Sequence, residues 1–307
     1  MTNLFLHATA HDHTSLWEML SHAVLDGLID GAWSIPILFL AYLLMELLEN
    51  SRKLNEAILH HHSRKAGPAI GGVLGIIPQC GISGAAATLF STGSISVGTM
   101  LAVFFATSDE MLPIMLSNIG KGVNISSLLL ILLSKAILAV ILGYVADFIL
   151  KRFVRSPKDI RSFCEREHCA CEEEEGNVLL SALKHTLKIA VLLIVVNIAL
   201  NILFELIGVE SLSASVLNMP IIGELIVALF GLIPNCSVSV VITQSYLNGL
   251  IGLGGLFAGL LSNAGIGLLV LLRTNKNHKE NLSIVTVLYF LSAASGMAIT
   301  LLSEIFA

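Results

Sequence analysis

Four stretches of this chain, residues 35–48, 128–150, 189–207 and 282–302, run almost without charge. They approach or reach the ~20 residues that an α-helix needs to cross a bilayer. Of the 307 residues, 55% are hydrophobic and 13% charged, and that charged share is about half of what a soluble domain carries. The chain therefore reads as an all-α polytopic membrane protein. Its apolar runs are continuous rather than alternating, which argues against a transmembrane barrel. The net charge of −5 says little, because charge on a membrane protein matters by side; no nucleic-acid partner is implied. No Lys or Arg precedes Arg52, so no basic signal-peptide region is expected, and residues 14–28 read as an amphipathic lead-in to the first span. The cysteines, Cys80, Cys164, Cys169, Cys171 and Cys236, are odd in number and lack a secretory context, which argues against a disulfide framework.

A duplication organises the chain. "GIIPQCGIS" at residues 75–83 returns as "GLIPNCSVS" at 231–239, an offset of 156. Residues 67–113 slide onto 223–269 without a gap. Gly67, Ile70, Gly75, Ile77, Pro78, Cys80, Ser83, Gly93, Ile95, Gly98, Ala102 and Leu112 all meet identical residues. Apolar composition alone would give roughly three or four such matches. The same offset places residues 125–150 on 281–306 and Glu49 on Glu205. The expected organisation is an N-terminal segment (1–20), a first membrane repeat (21–150), a polar linker (151–177) and a second repeat (178–307).

Charge sets the orientation, since Lys and Arg mark cytoplasmic loops. The N-terminus has neither, so it is expected outside. Arg52, Lys53, Arg64 and Lys65 place the loop after the first span inside. Lys151, Arg152, Arg155, Lys158, Arg161 and Arg166 place the linker inside. In the second half, Lys184 and Lys188 begin inside, residues 208–219 carry no basic residue and read as outside, and Arg273, Lys276 and Lys279 read as inside. The halves are thus expected to be inverted. Between the two inside segments 49–66 and 151–177 lie three apolar segments, so one of them does not cross simply. The motif-bearing segment 67–92, with its mate 221–247, is the expected exception. Two arms of ~13 residues reach only about 20 Å, short of a ~30 Å core, which favours re-entrant hairpins. Each repeat would then hold three spans plus a broken or re-entrant hairpin.

Non-helical backbone at membrane depth is tolerated where it is buried in protein or lines a cavity. Pro78 and Pro234 remove donors, and Gly75, Gly81 and Gly231 relax the chain. Kinked packed helices use the same residues. The polar side chains Gln79, Cys80 and Ser83, with Asn235, Cys236, Ser237 and Ser239, argue instead for a substrate or ion site, as do matched breaks in two inverted halves. A second polar set follows: Thr107, Ser108, Asp109 and Glu110 in the first half, Ser262 and Asn263 in the second. Intramembrane carboxylates cost at least about 2.5–3.5 kcal/mol and are functional by default. The bland alternative is that Asp109 and Glu110 lie near a membrane face or cap a half-helix ending at Pro113. Carboxylates with neutral oxygens suit Mn²⁺. Cys80 and Cys236 would add softer ligands to Asp109 and Glu110, although free cysteines are also ordinary core residues.

Weaker candidates lie elsewhere. Cys164, His168, Cys169 and Cys171 in the linker could bind an accessory metal, but the spacing matches no zinc pattern. His7, His11 and His13, and His60, His61 and His62, could capture metal loosely or be plain polar loops. Asp26, Asp30, Glu46, Glu49, Lys135 and Asp147 could line a pathway or snorkel.

With "GIIPQCGISG" and "GLIPNCSVS" in view, the chain resembles a bacterial and archaeal family of ten-span heavy-metal exporters, described as manganese transporters and distantly similar to arsenic-efflux permeases. The resemblance covers roughly residues 20–306. It implies metal efflux, with manganese favoured. The resemblance implies that the related organoarsenical permeases use a denser Pro-x-Cys-x-Cys-Gly stretch. Here Pro78-Gln79-Cys80-Gly81 and Pro234-Asn235-Cys236-Ser237 hold one cysteine each, which weighs against trivalent arsenic.

Three functions stay open: a secondary-active Mn²⁺ exporter coupled to protons or sodium, an exporter of an arsenical or small organic anion, and a channel or metal-sensing membrane protein. No nucleotide-binding loop and no enzyme constellation stand out, and no bound cofactor is expected beyond the transported ion. The expected location is the cell (inner) membrane, with lipid and metal ion as partners. A homodimer is compatible with this reading.

Overall fold

The computed structural model describes residues 63–77, 80–107, 110–119, 124–151 and 221–306, with single helical positions within 36–43 and 183–198. The N-terminal segment 1–20 and the linker beyond Lys151 lie outside the described residues. Regular structure among the described residues is all α-helical. The first half contains α1 (Ser63–Leu74), α2 (Cys80–Ser91), α3 (Val97–Ala106), α4 (Met111–Ser117) and α5 (Ile125–Leu150). The second contains α6 (Ile222–Gly231), α7 (Cys236–Leu247), α8 (Leu253–Ser262), α9 (Ile266–Thr274) and α10 (His278–Phe306). Four stretches are long and apolar enough to cross a membrane: Val97–Ser117, Ile125–Leu150, Leu253–Thr274 and His278–Ile305. Two of them are discontinuous, being α3 followed by α4 and α8 followed by α9.

The sequence duplication is written into the backbone. α2 and α7 have the same limits at the offset of 156, and so do α3 and α8. Both α2 and α7 end in a glycine with positive φ, Gly93 at 83° and Gly249 at 72°. Each makes the paired bonds of a Schellman cap: Gly93 N–H to Phe90 O (3.0 Å) and Ser94 N–H to Leu89 O (2.9 Å), then Gly249 N–H to Tyr246 O (3.0 Å) and Leu250 N–H to Ser245 O (2.8 Å). Only glycine takes this left-handed position without a Cβ penalty. The turns that end α1 and α6 match as well. Ile76 and Ile77 donate to Val73 and Leu74, and Leu232 and Ile233 donate to Leu229 and Phe230.

Helix directions follow from close approaches. On α1, the small-residue stripe Gly67, Gly71 and Gly75 lies against Thr99, Val103 and Ala106 of α3 in that order, so the two helices run the same way. Small residues spaced by four let backbones approach where lipid supplies no hydrophobic drive between helices. α2 ends at Ser91 and α3 begins at Val97 after a short connection, which brings those two ends to one level. α5 runs against α3: Gly98 meets Gly143 and Asp147, while Thr107 meets Lys135.

The last helices depart from the simple offset. The contacts of Gly98 with Gly143 and Asp147 recur as Gly254 with Gly296 and Thr300. Gly143 therefore corresponds to Gly296, a shift of 153 rather than the 156 expected from the sequence. The connection before α10, Asn275 to Asn277, is shorter than the one before α5, and this absorbs the slip.

The halves interlock. α9 packs on α2 and α4 on α7, so each broken span is completed against the other half's motif helix. Gly267 lies against Ser83 and Phe104, and Ser91 Oγ shares a 2.7 Å hydrogen bond with Thr274 Oγ1. These paired positions make α2 and α9 parallel. Every residue of α3 is buried, as is nearly all of α8. α5 and α10 instead expose large apolar side chains, among them Leu130, Ile137, Phe148, Phe290 and Ile305. An apolar outer surface around a core with buried polar groups is what a lipid solvent selects.

Candidate functional site

Each motif break lies against the end of its own half's broken span. Gly75 packs on Ala106 and the Val103 carbonyl, and Gly231 on Ser262 and the Gly259 carbonyl. At Gly231 an added Cβ would come within 2.1 Å of Ser262 Oγ and 2.4 Å of Gly259 O, so glycine is required by the close approach. The spans stop one residue later in both halves. Thr107 N–H donates to Val103 O at 3.0 Å, and Asn263 N–H donates to Gly259 O at 3.1 Å. Sequence duplication thus sets each motif break beside its own half's span break.

The second-half polar residues are largely committed to the breaks themselves. Ser262 Oγ donates to Gly259 O at 2.9 Å. Asn263 Oδ1 accepts from Gly265 N–H at 3.0 Å, which stabilises a turn where Gly265 has φ 52°. Asn235 is buried directly before α7, where its N–H donates to Ile233 O at 2.8 Å. Ser239 is buried one turn into α7, and its carbonyl accepts from Thr243 Oγ1. Ser83, buried in α2, faces the start of α9 at Gly267. This contact brings the first-half motif to the second-half break. Gly81 is buried in the first turn of α2, and Pro234 is half-buried in the second-half break.

In the first half, Thr107 is buried and its Oγ1 donates to Val103 O at 2.7 Å. Glu110 is half-buried at the N-cap position of α4, with no capping hydrogen bond from its side chain. Pro113, the end of a half-helix in the bland alternative for Asp109 and Glu110, lies instead in the first turn of α4, where a missing N–H costs nothing. The interruption falls earlier, after Ala106. Pro78, Gln79, Ser108 and Asp109, the side chains of Cys80, Cys236 and Ser237, and Cys164, His168, Cys169 and Cys171 lie outside the described residues. Among the described residues no three His, Cys, Asp or Glu side chains gather as a metal cluster.

A cation faces this break. Lys135, midway along α5 and 1% exposed, donates through Nζ to the Thr107 carbonyl. That carbonyl is at the C-terminal end of α3, where the helix dipole is negative and a cation is stabilised. Local pattern reading noted Lys135 only as a residue that lines a pathway or snorkels. Its position within an apolar run was the available signal.

Two buried carboxylates were missed. Glu224, in the first turn of α6, accepts from Thr300 Oγ1 at 2.6 Å through Oε1, while Oε2 has no partner among the described residues. Glu280, at the start of α10, accepts from Asn275 Nδ2 at 3.2 Å, and Asn275 also donates to Asn281 Oδ1 at 2.8 Å. Both glutamates sit at helix N-termini, where an acidic residue is routine, so nothing local marked them as buried.

A family model described as "Putative, 10TM heavy-metal exporter" matches residues 15–219, two thirds of the chain. No curated protein and no solved structure gives a significant match.

Proposed function

The chain belongs to this family of heavy-metal exporters, and from that membership we propose that it is a secondary transporter exporting a divalent metal, Mn²⁺ foremost, by alternating access. The observation that carries the reading is the meeting of four helix breaks in one buried region, two from each half. Breaks at matched positions expose backbone oxygens and half-helix ends to a substrate at membrane depth. Thr107 and Glu110, with the neighbouring Ser108 and Asp109, would supply hard oxygen ligands. Asn235, Ser239, Ser262 and Asn263 would complete the opposite wall, and Cys80 and Cys236 would bias the site toward transition metals.

In this reading the two halves are inverted and the motif segments are re-entrant hairpins. Three observations support that. α1 and α3 run the same way, so a chain that ascends α1 must return before it starts α3. α2, at 12 residues, is about 18 Å long and too short to span. The end of α2 also meets the end of α9, which carries Arg273 in its last turn and precedes Lys276 and Lys279, the basic group assigned to the inside. The linker 151–177 would then be cytoplasmic, the N-terminus outside, and the membrane the cell's inner one. Protons or sodium would drive exchange.

One observation favours a second reading. The buried Lys135 at the break would suit an arsenical or a small organic anion. Proteoliposome uptake separates the two, using Mn²⁺, Zn²⁺, Fe²⁺, Co²⁺ and an arsenical, each with and without a pH gradient. Gradient-dependent Mn²⁺ uptake is expected. Uptake of the arsenical alone would replace the metal reading with the anionic one.

A further inference from the structure

Lys135 is the eleventh residue of α5, about 15 Å from that helix's start and therefore near the middle of a ~30 Å apolar core. A lysine side chain snorkels only from positions near a helix end. This one is directed inward, is 1% exposed and holds the Thr107 carbonyl. Intramembrane charges that face a bundle interior are functional by default. Among the described residues the second half shows no such group at the matching place. With the shift of 153 defined by Gly143 and Gly296, the counterpart of Lys135 is Leu288, which is fully buried. The counterpart of Thr107 is Asn263, whose own side chain closes the turn. The cation is therefore specific to the half that carries Thr107 and Glu110, and general helix packing does not require it.

We infer that the Lys135 ammonium is a resident counter-cation, which holds the Thr107 carbonyl when the site is empty and is displaced when cargo arrives. The inference rests on the reading of a divalent metal at this break. An ammonium and a divalent ion compete for the same oxygens, and two cations a few ångströms apart at low dielectric repel strongly. The tethered ammonium thus weakens metal binding. Its return to the carbonyl helps the metal leave, as a transporter requires.

The test is calorimetric Mn²⁺ binding to the full-length protein in detergent, for wild type, Lys135→Met and Lys135→Gln. Melting temperature and size-exclusion profile check the fold of each variant. Removing the competing charge should tighten Mn²⁺ binding by ~10-fold or more and slow turnover in proteoliposomes. Folded variants that bind Mn²⁺ no more tightly than wild type would overturn the inference and leave the metal reading intact. Absence of Mn²⁺ binding in all three proteins would instead overturn the metal reading beneath it. Arsenate binding by wild type that is lost in both variants would make Lys135 an anion ligand and overturn the inference as well.

Discussion

Asp147 and Glu224 occupy related corners of the two halves from different helices. Asp147, on α5, accepts from Gly98 N–H at 2.8 Å and from Ser96 Oγ at 3.0 Å, so both its oxygens serve the N-terminus of α3. In the second half the equivalent place on the last helix is taken by Thr300, and the carboxylate comes from Glu224 on α6. Negative charge beside the N-terminus of a broken span is favourable in either case. Asp147→Ala removes two charge-assisted hydrogen bonds and should cost about 2–3 kcal/mol, read as a lower melting temperature in detergent. Asp147→Asn keeps an acceptor and should cost less. Equal stability of Asp147→Ala and wild type would show that α3 does not depend on this contact.

At the scale of elements, the parallel contact of α2 with α9 offers a test of how the motif segment runs. Ser91→Cys with Thr274→Cys, built on a cysteine-free background, should form an intramolecular disulfide on mild oxidation, because the native hydroxyls are 2.7 Å apart. A chain in which α2 crossed to the opposite face would hold these positions a membrane apart, and no crosslink would form. Much of this level was legible in the sequence. Pro78, Pro234 and their glycines marked the motif breaks, and the matches from Gly67 to Leu112 located the duplication. Gly93 and Gly249 were legible as conserved copies of one another, but their Schellman geometry needed the backbone. The span breaks after Ala106 and Ser262 were visible only as polar interruptions. The alternative that a half-helix ends at Pro113 fails because a proline, although often a stop, is equally at home in a helix's first turn. The partner of Glu224, the partner of Lys135 and the slip of the last helix were not legible for a common reason: each is defined by a contact more than 25 residues away. Local patterning contains no information about such pairs.

For the whole molecule, the duplication supplies the architecture and the departures from it supply the chemistry. Both halves provide a glycine-lined motif break and a broken span. Only the first adds Glu110 and Lys135 at that break. The second closes its own break with Ser262 and Asn263. A symmetric scaffold with an asymmetric charge set suits a carrier that moves one kind of ion. The interlocking of α9 with α2 and α4 with α7 means that neither half encloses the region alone. Lipid-facing α5 and α10 surround this centre without lining it, apart from the inward Lys135. The central claim is that the first-half break binds the metal that is carried. The most direct measurement is pH-gradient-driven Mn²⁺ flux in proteoliposomes for wild type against Asp109→Asn and Glu110→Gln, matched for reconstituted protein. The account predicts robust flux for wild type, and a loss of at least about 10-fold for one or both variants, since each removes a carboxylate ligand. Undiminished Mn²⁺ flux in both variants would contradict it.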